Sequence, residues 1–138
     1  MTGTSQGSRA ASAQSDRGET VLVVEDDPRQ RRATCMRLAD LGYRVLEASD
    51  AAAAIELLSK HPEIEVLFSD VVMPGEMSGF DLAKRVRELY PAVHIILTSG
   101  YSAELLNGEE EDLGLHVLHK PYSQASLARV FRETLQAR

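Results

Sequence analysis

Val21-Leu22-Val23-Val24-Glu25-Asp26-Asp27-Pro28 runs four apolar residues straight into three carboxylates and a proline. The apolar run, mostly β-branched, reads as a strand buried on both faces, as in a parallel sheet. Anions side by side at the mouth of such a strand repel one another, and a divalent cation or a strong positive partner offsets that cost. A second apolar run, Glu65-Val66-Leu67-Phe68-Ser69, delivers a lone acid, Asp70, in the same way. The first expectation is a metal-assisted phosphate site at the ends of parallel strands.

Outward from this stretch, strand-like and helix-like patterns alternate. Strands are expected at roughly 20–25, 44–48, 65–69, 93–98 and 115–119. Asp27 suits the N-cap of a first helix with Pro28 at its first position, Ala33, Leu38 and Leu41 facing inward, and Gly42 as its end. A second helix follows Asp50 and stops near Pro62. A third covers about 80–90, with Leu82, Val86 and Leu89 at helical spacing and Pro91 closing it. A short fourth is expected at 102–107, before Gly108 and an acidic run. A fifth follows Ser123 and carries Leu127, Val130, Phe131 and Leu135. Five consecutive βα units imply an α/β doubly wound fold, a five-stranded parallel sheet covered on both faces by five helices.

The chain has 138 residues, 43% hydrophobic and 26% charged, which suits one globular domain with a sizeable core. A net charge of −6 leaves no basic excess to neutralise phosphates, so nucleic acid is not an expected partner. No apolar run approaches the roughly 18 residues of a membrane span. The one cysteine, Cys35, cannot form an internal disulfide, and no secretory signal is visible, so the cytoplasm is the expected setting. Residues 1–18 contain no Val, Ile, Leu or aromatic side chain and read as a disordered tail or linker. The expected domain is 19–138.

Ligands of a doubly wound sheet sit beyond the carboxyl ends of its strands. Strand one ends in Glu25-Asp26-Asp27, strand three in Asp70, strand four in Thr98-Ser99-Gly100, and strand five in Lys120-Pro121. Strand two, ending Glu47-Ala48-Ser49, offers no obvious ligand. Acids, a hydroxyl and a lysine converge on one rim.

This constellation resembles the receiver domain of bacterial two-component response regulators. The resemblance covers about 19–138 and rests on motifs in the right order: Val23-Val24-Glu25-Asp26-Asp27-Pro28, Asp70-Val71-Val72-Met73-Pro74-Gly75, Ser78-Gly79, Leu97-Thr98-Ser99-Gly100-Tyr101 and Lys120-Pro121-Tyr122. It implies a flavodoxin-like sheet of order 2-1-3-4-5 and a cis Lys120–Pro121 bond. It also implies that Asp70 is the phosphoacceptor, that Glu25, Asp26, Asp70 and the Val72 carbonyl hold Mg²⁺, that Thr98 is the switch hydroxyl, and that Lys120 is the phosphate-binding cation. The implied partner is a histidine kinase or histidine phosphotransfer protein, with a possible downstream protein target on a surface near the fourth helix, fifth strand and fifth helix. The domain would be a regulatory phosphoacceptor that assists its own Mg²⁺-dependent phosphorylation.

The chemistry supports these roles. Phosphoryl transfer demands charge neutralisation and an in-line nucleophile more than it demands covalent catalysis. An aspartate is already ionised at neutral pH, Mg²⁺ favours oxygen ligands, and a lysine supplies a mobile point charge. A threonine hydroxyl donating to a new phosphoryl oxygen draws its loop inward and turns local charge into a surface signal. Plainer readings stand beside each role. A lone Asp after a strand is commonly a turn or cap residue, Glu25 and Asp26 alone could be a solvated rim, and Ser99 competes with Thr98 for the hydroxyl role, although motif register favours Thr98. A proline directly after Lys120 argues against an ordinary surface lysine in a continuing strand. His61, His94, His116 and His119 read as surface or packing residues, His116 and His119 pointing to opposite strand faces. Glu109–Asp112 reads as a solvated run. Arg29, Arg31 and Arg32 decorate the exposed side of the first helix, with a docking role open.

Departures from the common pattern carry their own expectations. Gly75-Glu76-Met77-Ser78 makes the loop one residue longer than in the commonest receivers and looks like receivers of hybrid sensor kinases. Val117 stands where many receivers carry a moving aromatic, and Tyr101 is the candidate replacement. Val72 and Gly100 offer no amide or acid to position an attacking water, so slow loss of phosphate is expected. The chain ends fifteen residues after Ser123, room for one helix only, which suggests a stand-alone module, a phosphate relay or a piece of a hybrid kinase. A Mg²⁺-dependent aspartyl phosphatase is a rival reading, but it would want a closely spaced Asp-x-Asp on strand one. A phosphorylation-independent interaction domain is a second rival, but it would be expected to have lost an acid, the threonine or the lysine.

Overall fold

The structure, a computed structural model, describes residues 18–73, 77–100 and 115–136. The elements run β1 (Thr20–Val24), α1 (Pro28–Asp40), β2 (Arg44–Ala48), α2 (Ala51–Lys60), β3 (Ile64–Asp70), α3 (Gly79–Leu89), β4 (His94–Ser99), β5 (His116–His119) and α4 (Gln124–Gln136). All five strands are parallel, in the order β2-β1-β3-β4-β5. The doubly wound expectation holds, with four helices among the described residues. The expected helix at 102–107, Tyr101, the acidic run 109–112, loop residues 74–76 and the tail 1–17 lie outside them. No helix among the described residues is long and apolar enough to cross a membrane.

The helix ends follow local chemistry. Asp27 caps α1 by accepting from the Arg29 N–H at 2.9 Å, and Pro28 fills the position where a missing N–H costs nothing. Asp50 caps α2 through the Ala53 N–H at 2.8 Å. Ser78 and Asp81 form a reciprocal capping box at the start of α3. Gly42, at φ 97°, turns the chain out of α1 in a conformation that other residues adopt at a cost.

Strand alternation sorts the core into two rows. Leu22, Val24, Leu67, Ile95 and Leu97 face a cluster with Leu58 of α2 and Leu82 and Val86 of α3. Val21, Val23, Val66, Phe68, Ile96 and Leu118 face the other, with Leu38 of α1 and Leu127 and Phe131 of α4. Full burial of side chains this size contributes about 1.5–3 kcal/mol each. Phe131 meets both Tyr43 and Phe68 at ring-centroid distances of 5.2 Å.

Two expected core positions are not in the core. Leu89, the last residue of α3, is 52% exposed, and Ala33 is exposed on α1. Helical periodicity marks a face, but Leu89 sits at a helix end. His116 and His119 are exposed on the edge strand β5.

Candidate functional site

The second core row runs directly into the site. Val23, Phe68, Ile96 and Leu118 are members of that row. Two residues beyond each stand Glu25, Asp70, Thr98 and Lys120. A side-chain period of two delivers all four to the sheet face covered by α1 and α4. There they line a cleft of about 260 Å³ together with Gln30 and Tyr122.

Backbone bonds hold these groups in register. Asp70 and Thr98 are direct Cα partners on β3 and β4. The Val71 N–H donates to Thr98 O at 2.9 Å and the Lys120 N–H to Ser99 O at 2.8 Å, extending the ladder past the strand ends. The Lys120–Pro121 peptide is cis. On the far side of Asp70, the α3 start comes against the chain: the Gly79 N–H donates to Val71 O at 2.9 Å.

Lys120 Nζ lies 3.0 Å from Asp70 Oδ2 and 3.8 Å from Glu25 Oε1. Burial alone would lower the Lys120 pKa; the hydrogen bond that its ammonium donates to Asp70 and the charges of Asp70 and Glu25 outweigh it, and the net shift is upward. The ammonium therefore stays charged. Asp70 Oδ1 accepts from the Val72 N–H at 3.3 Å. Val72 itself is 49% exposed, Asp26 is exposed, and Thr98 is buried.

Glu25 is 8% exposed. Burial pushes its pKa above the ordinary carboxylate range; the Asp27 N–H opposes this, the Asp70 charge adds to it, Lys120 opposes it, and the Asp26 carboxyl adds to it. An acid whose pKa is higher folded than unfolded binds extra protons in the folded state, so stability falls as pH rises from the unfolded value of 4.5 through the raised one. In metal-free buffer at neutral pH, Glu25→Gln should therefore raise Tm, and the gain should vanish at a pH below both values. A lower Tm for the variant at neutral pH would contradict this.

Carboxylates crowded at strand ends are what a divalent cation offsets. Among the described residues no three His, Cys, Asp or Glu side chains are gathered as a metal cage, so Glu25, Asp26 and Asp70 do not form a closed carboxylate cluster. Mg²⁺ does not need one, since it is held by one or two carboxylates and keeps several waters. The buried Glu25 and the adjacent Asp70 fit that requirement.

Two residues of the site were not anticipated. Gln30 accepts from Lys120 Nζ at 3.4 Å while its amide donates to Asp27 Oδ2 at 3.3 Å. Its signal was present: Asp27 and Gln30 have the spacing of a capping pair. Arg31, expected on the exposed face of α1, instead pairs with Glu47 at 3.0 Å.

A family model described as the response regulator receiver domain matches residues 21–132. The chain belongs to that family. As a receiver domain it is a regulatory phosphoacceptor of two-component signalling. The receiver protein CpdR of Brucella abortus is 34% identical over 118 residues, covering 85% of this chain and 97% of CpdR. The sensor kinase CckA of the same organism is 34% identical over 119 residues, covering 85% of this receiver but only 12% of CckA. Among solved structures, the chemotaxis protein CheY4 of Vibrio cholerae superposes with a TM-score of 0.76 at 29% identity, covering 83% of this receiver and 97% of CheY4. A response regulator receiver protein from Pseudomonas putida gives 0.75 at 28% identity, covering 83% and 95%.

Proposed function

We propose that Asp70 accepts a phosphoryl group from the phosphohistidine of a kinase or phosphotransfer protein, and that the domain assists this step with its own residues and Mg²⁺. The observation that carries this reading is the 3.0 Å pair of Asp70 and Lys120 beside a buried Thr98 held in register with Asp70. An Asp70 oxygen attacks phosphorus in line, the P–N bond breaks, and the electron pair leaves with the imidazole, which takes up a proton. The product is an acyl phosphate on Asp70. Lys120 follows the negative charge from the carboxylate to the phosphoryl oxygens. Thr98 donates its hydroxyl to one of them and carries the end of β4 with it. The chemistry a bound Mg²⁺ supplies is charge neutralisation on the phosphoryl oxygens, and Glu25, Asp26, Asp70 and the Val72 carbonyl would hold it.

Residues 19–138 then act as one signalling domain, with 1–18 as tail or linker and a downstream protein as the target. The cytoplasm suits this role: Cys35 is a free thiol pushed up to about 11 by burial and Glu47, and so is a poor nucleophile. Incubation with Mg²⁺ and phosphoramidate, a small P–N donor, followed by peptide mass spectrometry, tests the reading. One phosphoryl group on Asp70 is expected; modification elsewhere, or none, overturns it.

The modified protein should also lose phosphate slowly. Exposed Val72 and Gly100 carry no group to orient water, and a Cβ at Gly100 would meet nothing within 4 Å. Val72→Asn is expected to accelerate hydrolysis severalfold in a time course of the purified phosphoprotein, whereas wild-type loss within minutes would contradict this account.

A further inference from the structure

Arg31 takes no part in the chemistry above, yet it grips the acidic turn. Its Nη1 donates to the backbone carbonyl of Glu25 at 2.9 Å and its Nε to Glu47 Oε1 at 3.0 Å. The guanidinium side chain is 20% exposed and its Glu47 partner 52%. One planar fork thus joins the end of β1 to the end of β2 from the first turns of α1.

The rest of the turn's bonding shows what the fork adds. The Glu25 N–H is fixed to Ala48 O at 3.1 Å, and Glu25 Oε2 accepts from the Asp27 N–H at 3.1 Å. Beyond Ala48 the β2 chain turns away, and Asp50 caps α2. The Glu25 carbonyl therefore meets Arg31 where the neighbouring strand has left. With the N–H, carbonyl and carboxylate all tied, the peptide carrying a buried acid has little freedom to rotate.

We propose that Arg31 is a positioning residue for the divalent-cation site: through the Glu25 carbonyl it fixes the peptide that presents the Glu25 carboxylate, and Glu47 fixes Arg31. This rests on the reading of Glu25 as a cation ligand. Ligand carboxylates depend on such supporting bonds, and breaking one typically weakens metal affinity 10–100-fold. A lysine carries the charge but, as a point charge on a flexible stem, cannot span carbonyl and carboxylate as the fork does.

Calorimetric titration of the chain with MgCl₂ alone tests this, with circular dichroism melting to show that each variant is folded. Arg31→Ala should weaken Mg²⁺ binding about tenfold, and Arg31→Lys should recover only part of it. Glu47→Ala, which leaves the Glu25 carbonyl contact available, should cost only about threefold, less than the 10–100-fold typical of a direct supporting bond. If Glu25→Gln loses Mg²⁺ while Arg31→Ala binds within twofold of wild type, the positioning role is overturned and the ligand reading survives. If Arg31→Lys binds as wild type does, charge rather than geometry is responsible and the proposal is overturned. If Glu25→Gln binds Mg²⁺ unchanged, the ligand reading fails and this inference falls with it. Should Arg31→Ala fail to fold, an unchanged affinity in Glu47→Ala overturns the proposal.

Discussion

Asp70→Asn is expected to abolish the conformational response to beryllofluoride and Mg²⁺ that the wild-type domain shows. Beryllofluoride occupies the place of a phosphoryl group on a carboxylate, so it reports whether the acceptor oxygen is present. The amide that replaces Asp70 carries no charge and is a poor nucleophile and metal ligand. It also withdraws the anion 3.0 Å from Lys120 Nζ and one of the negative charges beside Glu25. At an effective dielectric near 20, a pair of unit charges about 4 Å apart interacts by about 4 kcal/mol. Even a fraction of that places binding in the variant below detection. Amide resonances of β4 and β5 should shift in wild type and stay in place in Asp70→Asn. Equal shifts in both proteins would remove Asp70 from the acceptor role. A wild type that ignores beryllofluoride would argue for an interaction domain that works without phosphorylation.

Gly79→Ala is the second large effect, and it acts on backbone. A Cβ built at Gly79 would stand 1.8 Å from Asp70 O, 2.8 Å from Asp70 C and 3.0 Å from Val71 Cα. None of these atoms is the end of a flexible side chain. Relief demands that α3 back away or that the end of β3 be pushed, and overpacking of this kind costs about 1–3 kcal/mol or more. Alanine's better helix propensity recovers about 1 kcal/mol at most. The net expectation is a Tm lower by several degrees and slower phosphoryl uptake, because the displaced peptide carries the carboxylate proposed as the acceptor. Ser78→Ala separates the two effects. It removes the α3 cap, worth about 1 kcal/mol, but leaves Asp70 in place, so stability should fall while uptake is retained. A Gly79→Ala protein with unchanged Tm would show that the contact yields easily.

The sheet was legible because strands covered on both faces must be apolar at every position, and Val21–Val24 and Val66–Phe68 are. The site residues were legible for a related reason. Charged or hydroxyl residues that follow such runs must sit at the strand ends, and a parallel sheet sends those ends to one rim. Helix surfaces carry less information. Arg31 and its neighbours Arg29 and Arg32 look alike as residues, and only the position of the turn relative to α1 decides which one reaches a carbonyl. Gln30 was readable in principle from its spacing to Asp27, but its second contact, to Lys120, joins the first turn of α1 to the residue after β5 and has no local signature. The tight approach of Gly79 to Asp70 was likewise visible only as a motif, since it depends on how α3 enters against β3. Leu89 and Ala33 misled because the pattern continues to positions that the sheet does not cover.

The two members of the central ion pair are not equally anchored. Asp70 ends a seven-residue strand with a neighbour on each side, whereas Lys120 follows a four-residue strand that, among the described residues, is bonded to β4 alone. Local opening free energy rises with burial and with the number of backbone tethers, so the pair joins a stiff half to a compliant half. On the proposed function, the anion that holds still for in-line attack rides on the stiff half. The cation that, on the same proposal, lets go of it and follows the phosphoryl group rides on the compliant one.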